Sequence, residues 1–138
     1  MNVERLSDLI TIRGRFHRSV SLVRDWHRSK DLTEYVITPA VRDLATQIAT
    51  ELRRSRGTRS WSITGPYGSG KSAFALFLTE ALAASRPRHP EAQAIRRKIR
   101  FRGKPLVPIL VTAERGPLEP QIARSLVDAF SPIDRRYA

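Results

Sequence analysis

The stretch "GPYGSGKS", residues 65–72, decides how the rest of this sequence is read. Gly65, Gly68 and Gly70 permit backbone angles that a side chain disfavours, and they let the chain approach a ligand closely. A chain turning this tightly points successive N–H groups inward, here from Gly68 to Ser72, and such a nest holds an anion. The period then changes: Phe74, Phe77, Leu78, Ala81 and Leu82 recur at helical spacing. A helix beginning near Gly70 adds the positive end of its dipole at the same point. Upstream, "SWSIT" (60–64) predicts a short strand.

The stretch fits G-x-x-x-x-G-K-[ST], the phosphate-binding loop or Walker A pattern, and a strand before with a helix after is the context that pattern requires. Lys71 is the mobile positive charge that reaches β- and γ-phosphates, and the Ser72 hydroxyl is a ligand for Mg²⁺. The candidate cofactor-binding residues are therefore Gly65, Pro66, Tyr67, Gly68, Ser69, Gly70, Lys71, Ser72 and Ala73, with Ser72 as the metal ligand. ATP and Mg²⁺ are the expected cofactors. The plain alternative is a glycine-rich turn in front of a helix, with no ligand.

Working outward, "TPAVRDLATQIATELRRSRG" (38–57) predicts a helix capped by Thr38, with Pro39 at its first position. Its apolar stripe is Val41, Leu44, Ile48 and Leu52, and Gly57 is expected to end it. Residues 86–104 carry eight lysines and arginines against one acid, Glu91, with a helix near 90–100. "PLVPILVT" (105–112) predicts a strand, placed at a sheet edge because Pro108 cannot donate to a ladder. "LEPQIARSLVDAF" (118–130) predicts a last helix, with Ile122, Leu126 and Phe130 four apart. Residues 1–30 read as a basic, irregular N-terminal segment in which 15–26 is extended, and residues 31–138 as the domain proper. The order helix–strand–loop–helix–helix–strand–helix predicts an α/β layered fold.

At 138 residues the chain suits one domain. It has no apolar run near 18 residues, which argues against a membrane span. Its N-terminus has acids and no long apolar core, so it does not read as a secretory signal, and a cytoplasmic location is expected. There is no cysteine for disulfides or thiolate metal sites. His17, His27 and His89 lie among arginines without ligand spacing and read as surface residues. The net charge is +12, and 21 of the 25 basic residues are arginine. Arginine suits phosphate contacts, so nucleic acid is a candidate partner through residues 86–104, against the plain reading of a solvated basic helix.

Residues 61–82, "WSITGPYGSGKSAFALFLTEAL", resemble the phosphate loop and following helix of AAA+ and related ATPases of the STAND and origin-recognition type. Residues 35–52 are similar to the helix that precedes the first strand in that family, where Tyr35 to Thr38 would help cover the adenine. The resemblance spans roughly residues 31–130. It implies a three-layer P-loop NTPase fold with a parallel sheet, of which this chain holds the N-terminal portion, ending before Walker B, sensor residues and lid. It also implies other subunits or a further C-terminal portion as partners.

Hydrolysis needs an acid at the end of an apolar strand, and no such pattern occurs. Asp128 lies inside a helix and Glu114 comes two residues late, so the catalytic residues are unknown. No guanine-recognition signature appears, which favours ATP over GTP. The expected function is thus the ATP-binding module of an AAA+-like ATPase, acting in DNA processing or phage defence. A small P-loop kinase with 86–104 as an arginine lid, and a nucleotide-regulated nucleic-acid-binding module, are the alternatives.

Overall fold

A computed structural model describes residues 20–27, 32, 35–99 and 106–137, with side chains through Trp26 in the first helix and Ser131 in the last. Five helices follow in order: α1 (Leu22–His27), α2 (Pro39–Arg53), α3 (Lys71–Ala83), α4 (Pro90–Lys98) and α5 (Leu118–Tyr137).

Helix α2 starts where its sequence says it should. Thr38 is in the β region, its hydroxyl accepts the Val41 N–H at 3.4 Å, and Pro39 opens the first turn. It ends at Arg53, short of Gly57, and the chain then folds back over the helix end. A Cβ at Gly57 would fall 2.0 Å from the Glu51 carbonyl oxygen, so only glycine permits this approach. The buried face is Ala45, Ile48 and Ala49, flanked by half-buried Val41 and Leu52. Leu44, expected on the stripe, is exposed.

Helix α3 packs against α1, α2 and α4, and this enclosure explains its composition. Phe74, Leu76, Phe77, Ala81 and Leu82 are buried around more than one face, the pattern of a central helix rather than a surface one. Helix α4 is the short third member, burying Ala92 and Ile95 with Ile99 just past its end. It runs parallel to α2. Arg42 and Glu91 form a two-pronged ion pair near the two starts, at 2.7 and 2.8 Å, and the Arg53 guanidinium donates to the Ile99 carbonyl at the two ends.

The expected parallel sheet and three-layer α/β arrangement are not found: among the described residues there is no strand. Residues 60–64 and 106–112 are without regular structure, and residue 105 lies outside the described residues. A strand exists only through its neighbour, because its N–H and C=O groups must pair across a ladder. Here neither segment is paired, and Ile63, Leu106, Val107 and Ile109 are left exposed. The helices bury their apolar faces against one another instead of against a sheet. Residues 22–26, read as extended, are helical. The Asp25 carboxylate reaches back to the Ser21 N–H at 2.8 Å and closes the first turn.

Residues 106–131 contribute nothing to the core cluster, which runs from Ala45 to Ile99. The buried Gln121 amide holds this segment together by donating to the carbonyls of Glu114 and Pro117 and accepting the Glu114 N–H at 3.0 Å. Helix α5 forms where expected, but its apolar residues Ile122, Leu126 and Phe130 are exposed. No helix among the described residues is long and apolar enough to cross a membrane.

Candidate phosphate-binding loop

The loop is built by two residues in the left-handed region, Gly68 (φ 78°) and Gly70 (φ 82°). Nothing lies within 4 Å of where a Cβ on Gly68 would point, so the positive φ rather than crowding is what calls for glycine there. The Ser69 N–H donates to the Pro66 carbonyl at 3.3 Å and closes the turn, which removes it from the expected nest. Gly70 is the N-cap of α3. Having no side chain, it makes no capping bond, and its carbonyl accepts the Phe74 N–H at 2.8 Å. The N–H groups of Lys71, Ser72 and Ala73 therefore have no acceptor within the helix. Three uncapped donors at the positive end of a helix are the anion-attracting element of the site.

Lys71 folds back across the loop. Its Nζ donates to the carbonyls of Gly65 (2.9 Å) and Pro66 (2.7 Å) and to Ser69 Oγ at 3.4 Å. The ammonium is thus held by neutral oxygens over the turn, with its charge uncancelled. A Cβ on Gly65 would approach Ser69 Oγ to 3.0 Å, so glycine there keeps the loop closed on this side. Ser72 is exposed on the first turn, Ala73 is half-buried, and Tyr67 is 96% exposed, packing on nothing.

The structure brings Tyr35 to this loop. Its hydroxyl is 4.0 Å from the position of a Cβ on Gly70, and its ring packs on Phe77 with centroids 6.0 Å apart. Burial raises the pKa of this phenol above its usual value, so it stays a neutral donor. Behind it, His89 is buried, correcting its reading as a surface residue. Its Nδ1 accepts the Glu91 N–H at 3.2 Å, which leaves the ring proton on Nε2 to donate to the Tyr35 carbonyl at 2.9 Å. The ring also meets the face of Phe77 edge-on.

Glu80, which sequence reasoning passed over, fixes His89. It is buried on α3, and its Oε1 accepts the N–H groups of Arg88 and His89 while Oε2 is buried without a partner. The signal was present, since Glu80 is one turn beyond Phe77 on an otherwise apolar face.

Other expected site elements are not gathered here. Among the described residues, no carboxylate bonds to the loop. Glu114 is bonded through its backbone to Gln121, and Asp128 is exposed on α5. No group of three His, Cys, Asp or Glu side chains among them could hold a metal. Ser72 would give an ion one hydroxyl, the remaining ligands coming from phosphate oxygens and water, which suits Mg²⁺. Of the basic segment 86–104, Arg86 and Arg88 lie before α4, whereas Arg97 and Lys98 lie at its far end, about 13 Å on. The arginine lid and the continuous basic surface are thus divided between two places, and residues 100–104 lie outside the described residues.

Comparison of the chain with models of known protein families, with curated proteins and with solved structures returned no match.

Proposed function

We propose that this chain binds the triphosphate of ATP, with Mg²⁺, at residues 65–73, and serves as the nucleotide-binding part of an ATPase. The observation that carries the reading is the uncapped start of α3 beneath two left-handed glycines, with the Lys71 ammonium held over the same turn. The N–H groups of Lys71, Ser72 and Ala73 take phosphate oxygens. Lys71 exchanges its carbonyl partners for the β/γ-phosphates, and Ser72 gives one ligand to the metal, which supplies charge neutralisation of the phosphates. The Tyr35 hydroxyl, next to Gly70, offers a neutral donor to the nucleotide. The acid that positions attacking water comes from a further C-terminal portion or from a partner subunit on this reading, and residues 1–138 by themselves bind ATP without turning it over.

Calorimetric titration with Mg·ATP tests the binding. Lys71→Ala should lose about 2–3 kcal/mol, roughly a hundredfold in affinity, as expected for hydrogen bonds from a charged donor. Equal affinity of wild type and variant would remove the loop from the site.

A further inference from the structure

We propose that the joined C-terminal ends of α2 and α4 form a second anion-binding surface, which takes the phosphate backbone of duplex nucleic acid. It goes beyond the nucleotide reading and does not depend on it. The Arg53–Ile99 hydrogen bond joins the two helix ends, one carrying Arg53 and Arg54, with Arg56 and Arg59 in the turn after it, the other carrying Arg97 and Lys98. One carboxylate, Glu51, stands among these six cations. It already accepts from Arg54 at 2.6 Å and from the Thr58 N–H at 3.2 Å.

The way these arginines are held argues for a built surface. Arg53 donates to the Ile99 carbonyl, and Arg59 donates to the carbonyls of Glu51, at 2.7 Å, and Arg54. A neutral carbonyl fixes a guanidinium without cancelling its charge, and each guanidinium has further N–H groups to offer. Arg56, Arg97 and Lys98 are exposed and have no partner among the described residues. Neutralising the two helix dipoles accounts for the cations in the last turns, but that attraction fades within one turn. Arg56 lies beyond it, whereas the Arg59 guanidinium reaches back to the Glu51 carbonyl in the last turn of α2.

Three features select the occupant. All but one of the cations are arginines, whose planar fork matches a phosphate. Ser55 and Thr58 between them, and Ser60 after them, are exposed and polar, so nothing here would enter a lipid surface. Residues 53–60 contain no aromatic side chain to stack on bases, which favours the backbone of a duplex over a single strand.

The experiment uses the full chain without nucleotide, so that its outcome is separate from that of ATP binding. Fluorescence anisotropy follows a labelled DNA duplex of about 20 base pairs, of mixed sequence, from about 50 to 200 mM salt. The triple variant Arg56→Gln, Arg97→Gln, Lys98→Gln should lower the slope of log affinity against log salt by roughly 2–3 and weaken binding at least about tenfold. These side chains have no hydrogen-bond or ion-pair partner among the described residues, so the melting temperature should fall only by the small helix-dipole contribution of Arg97 and Lys98. Arg56→Gln and Lys98→Gln singly should each lower the slope by about 1. Arg86→Gln with Arg88→Gln, at the other end of α4, should leave it as in wild type. No duplex binding by wild type, an unchanged slope in the triple variant, or an equal loss in the Arg86/Arg88 variant overturns the proposal. So does binding confined to phosphatidylserine vesicles or to an acidic polypeptide such as polyglutamate.

Discussion

At the start of α3 the positive character comes from peptide N–H groups left free by glycines in left-handed conformations, with one lysine added. At the joined ends of α2 and α4 it comes from side chains, of which Arg53 and Arg59 lean on carbonyls. Both regions suit phosphate oxygens, but they fail differently. A site made of backbone depends on conformation, so one wrong dihedral spoils it and salt affects it little. A site made of guanidinium groups depends on their number, so each loss subtracts and salt weakens all of them.

The substitution expected to cost most is in the core under the first of these regions. Phe77 is fully buried and touches both Tyr35 beside the loop and His89 at the start of α4. Phe77→Ala should destabilise the chain by about 3–5 kcal/mol, measured by urea denaturation. A loss of stability with ATP binding unchanged in the folded protein would mean the loop is not mounted on this core.

Glycine substitutions should then separate the regions. At Gly57 an added Cβ meets the Glu51 carbonyl at 2.0 Å, so Gly57→Ala must displace the turn that carries Arg56 and Arg59. A loss of about 1–3 kcal/mol in thermal or urea unfolding is expected, with duplex binding reduced. At Gly70 the nearest atom is 4.0 Å away, so there is room, and the cost lies in the φ of 82° alone. Gly70→Ala should lose about 1–2 kcal/mol of stability and weaken ATP binding while duplex binding stays as in wild type. If either variant impaired both ligands equally, the two regions would not be separate sites.

The smallest effect concerns the exposed Arg42–Glu91 pair. The Arg42 guanidinium bonded to Glu91 holds its carboxyl below the usual value of 4.5, and the same contact raises Arg42. A carboxyl with a lowered folded pKa contributes stability above its unfolded value and loses it as pH falls through the folded one. The small stability advantage of wild type over Glu91→Gln should therefore be full near neutrality and shrink from about pH 5 downward. A difference independent of pH, in denaturation series at several pH values, would assign it to packing instead.

What the sequence made legible is local. Thr38 and Pro39 mark the start of α2 through neighbours one to three residues away, and the glycines ahead of Lys71 mark the start of α3. What it hid depends on distant partners. The apolar runs at 60–64 and 105–112 have strand propensity, but propensity does not supply the second strand of a ladder. The burial of His89 rests on Glu80, nine residues back, and on Tyr35, fifty-four back. Arg97 and Lys98 join the arginines of 53–59 only through the packing of α2 on α4, where Arg53 reaches Ile99 across forty-six residues. A linear count of charge placed the basic region at 86–104, whereas folding sets Arg86 and Arg88 at one end of α4 and joins the other end, with Arg97 and Lys98, to α2.

The two cross-links between α2 and α4 have a mechanical consequence. An ion pair near one end and a hydrogen bond at the other stop the helices sliding past each other, since a shift of one turn would break both. The pair tied in this way spans about 22 Å, the length of the fifteen residues of α2. Tyr35 and His89 sit at its near end, beside the loop, and the arginines at its far end. A tilt of about 10° at the near end would swing the far end by roughly 4 Å, enough to carry a guanidinium out of hydrogen-bond range of a phosphate.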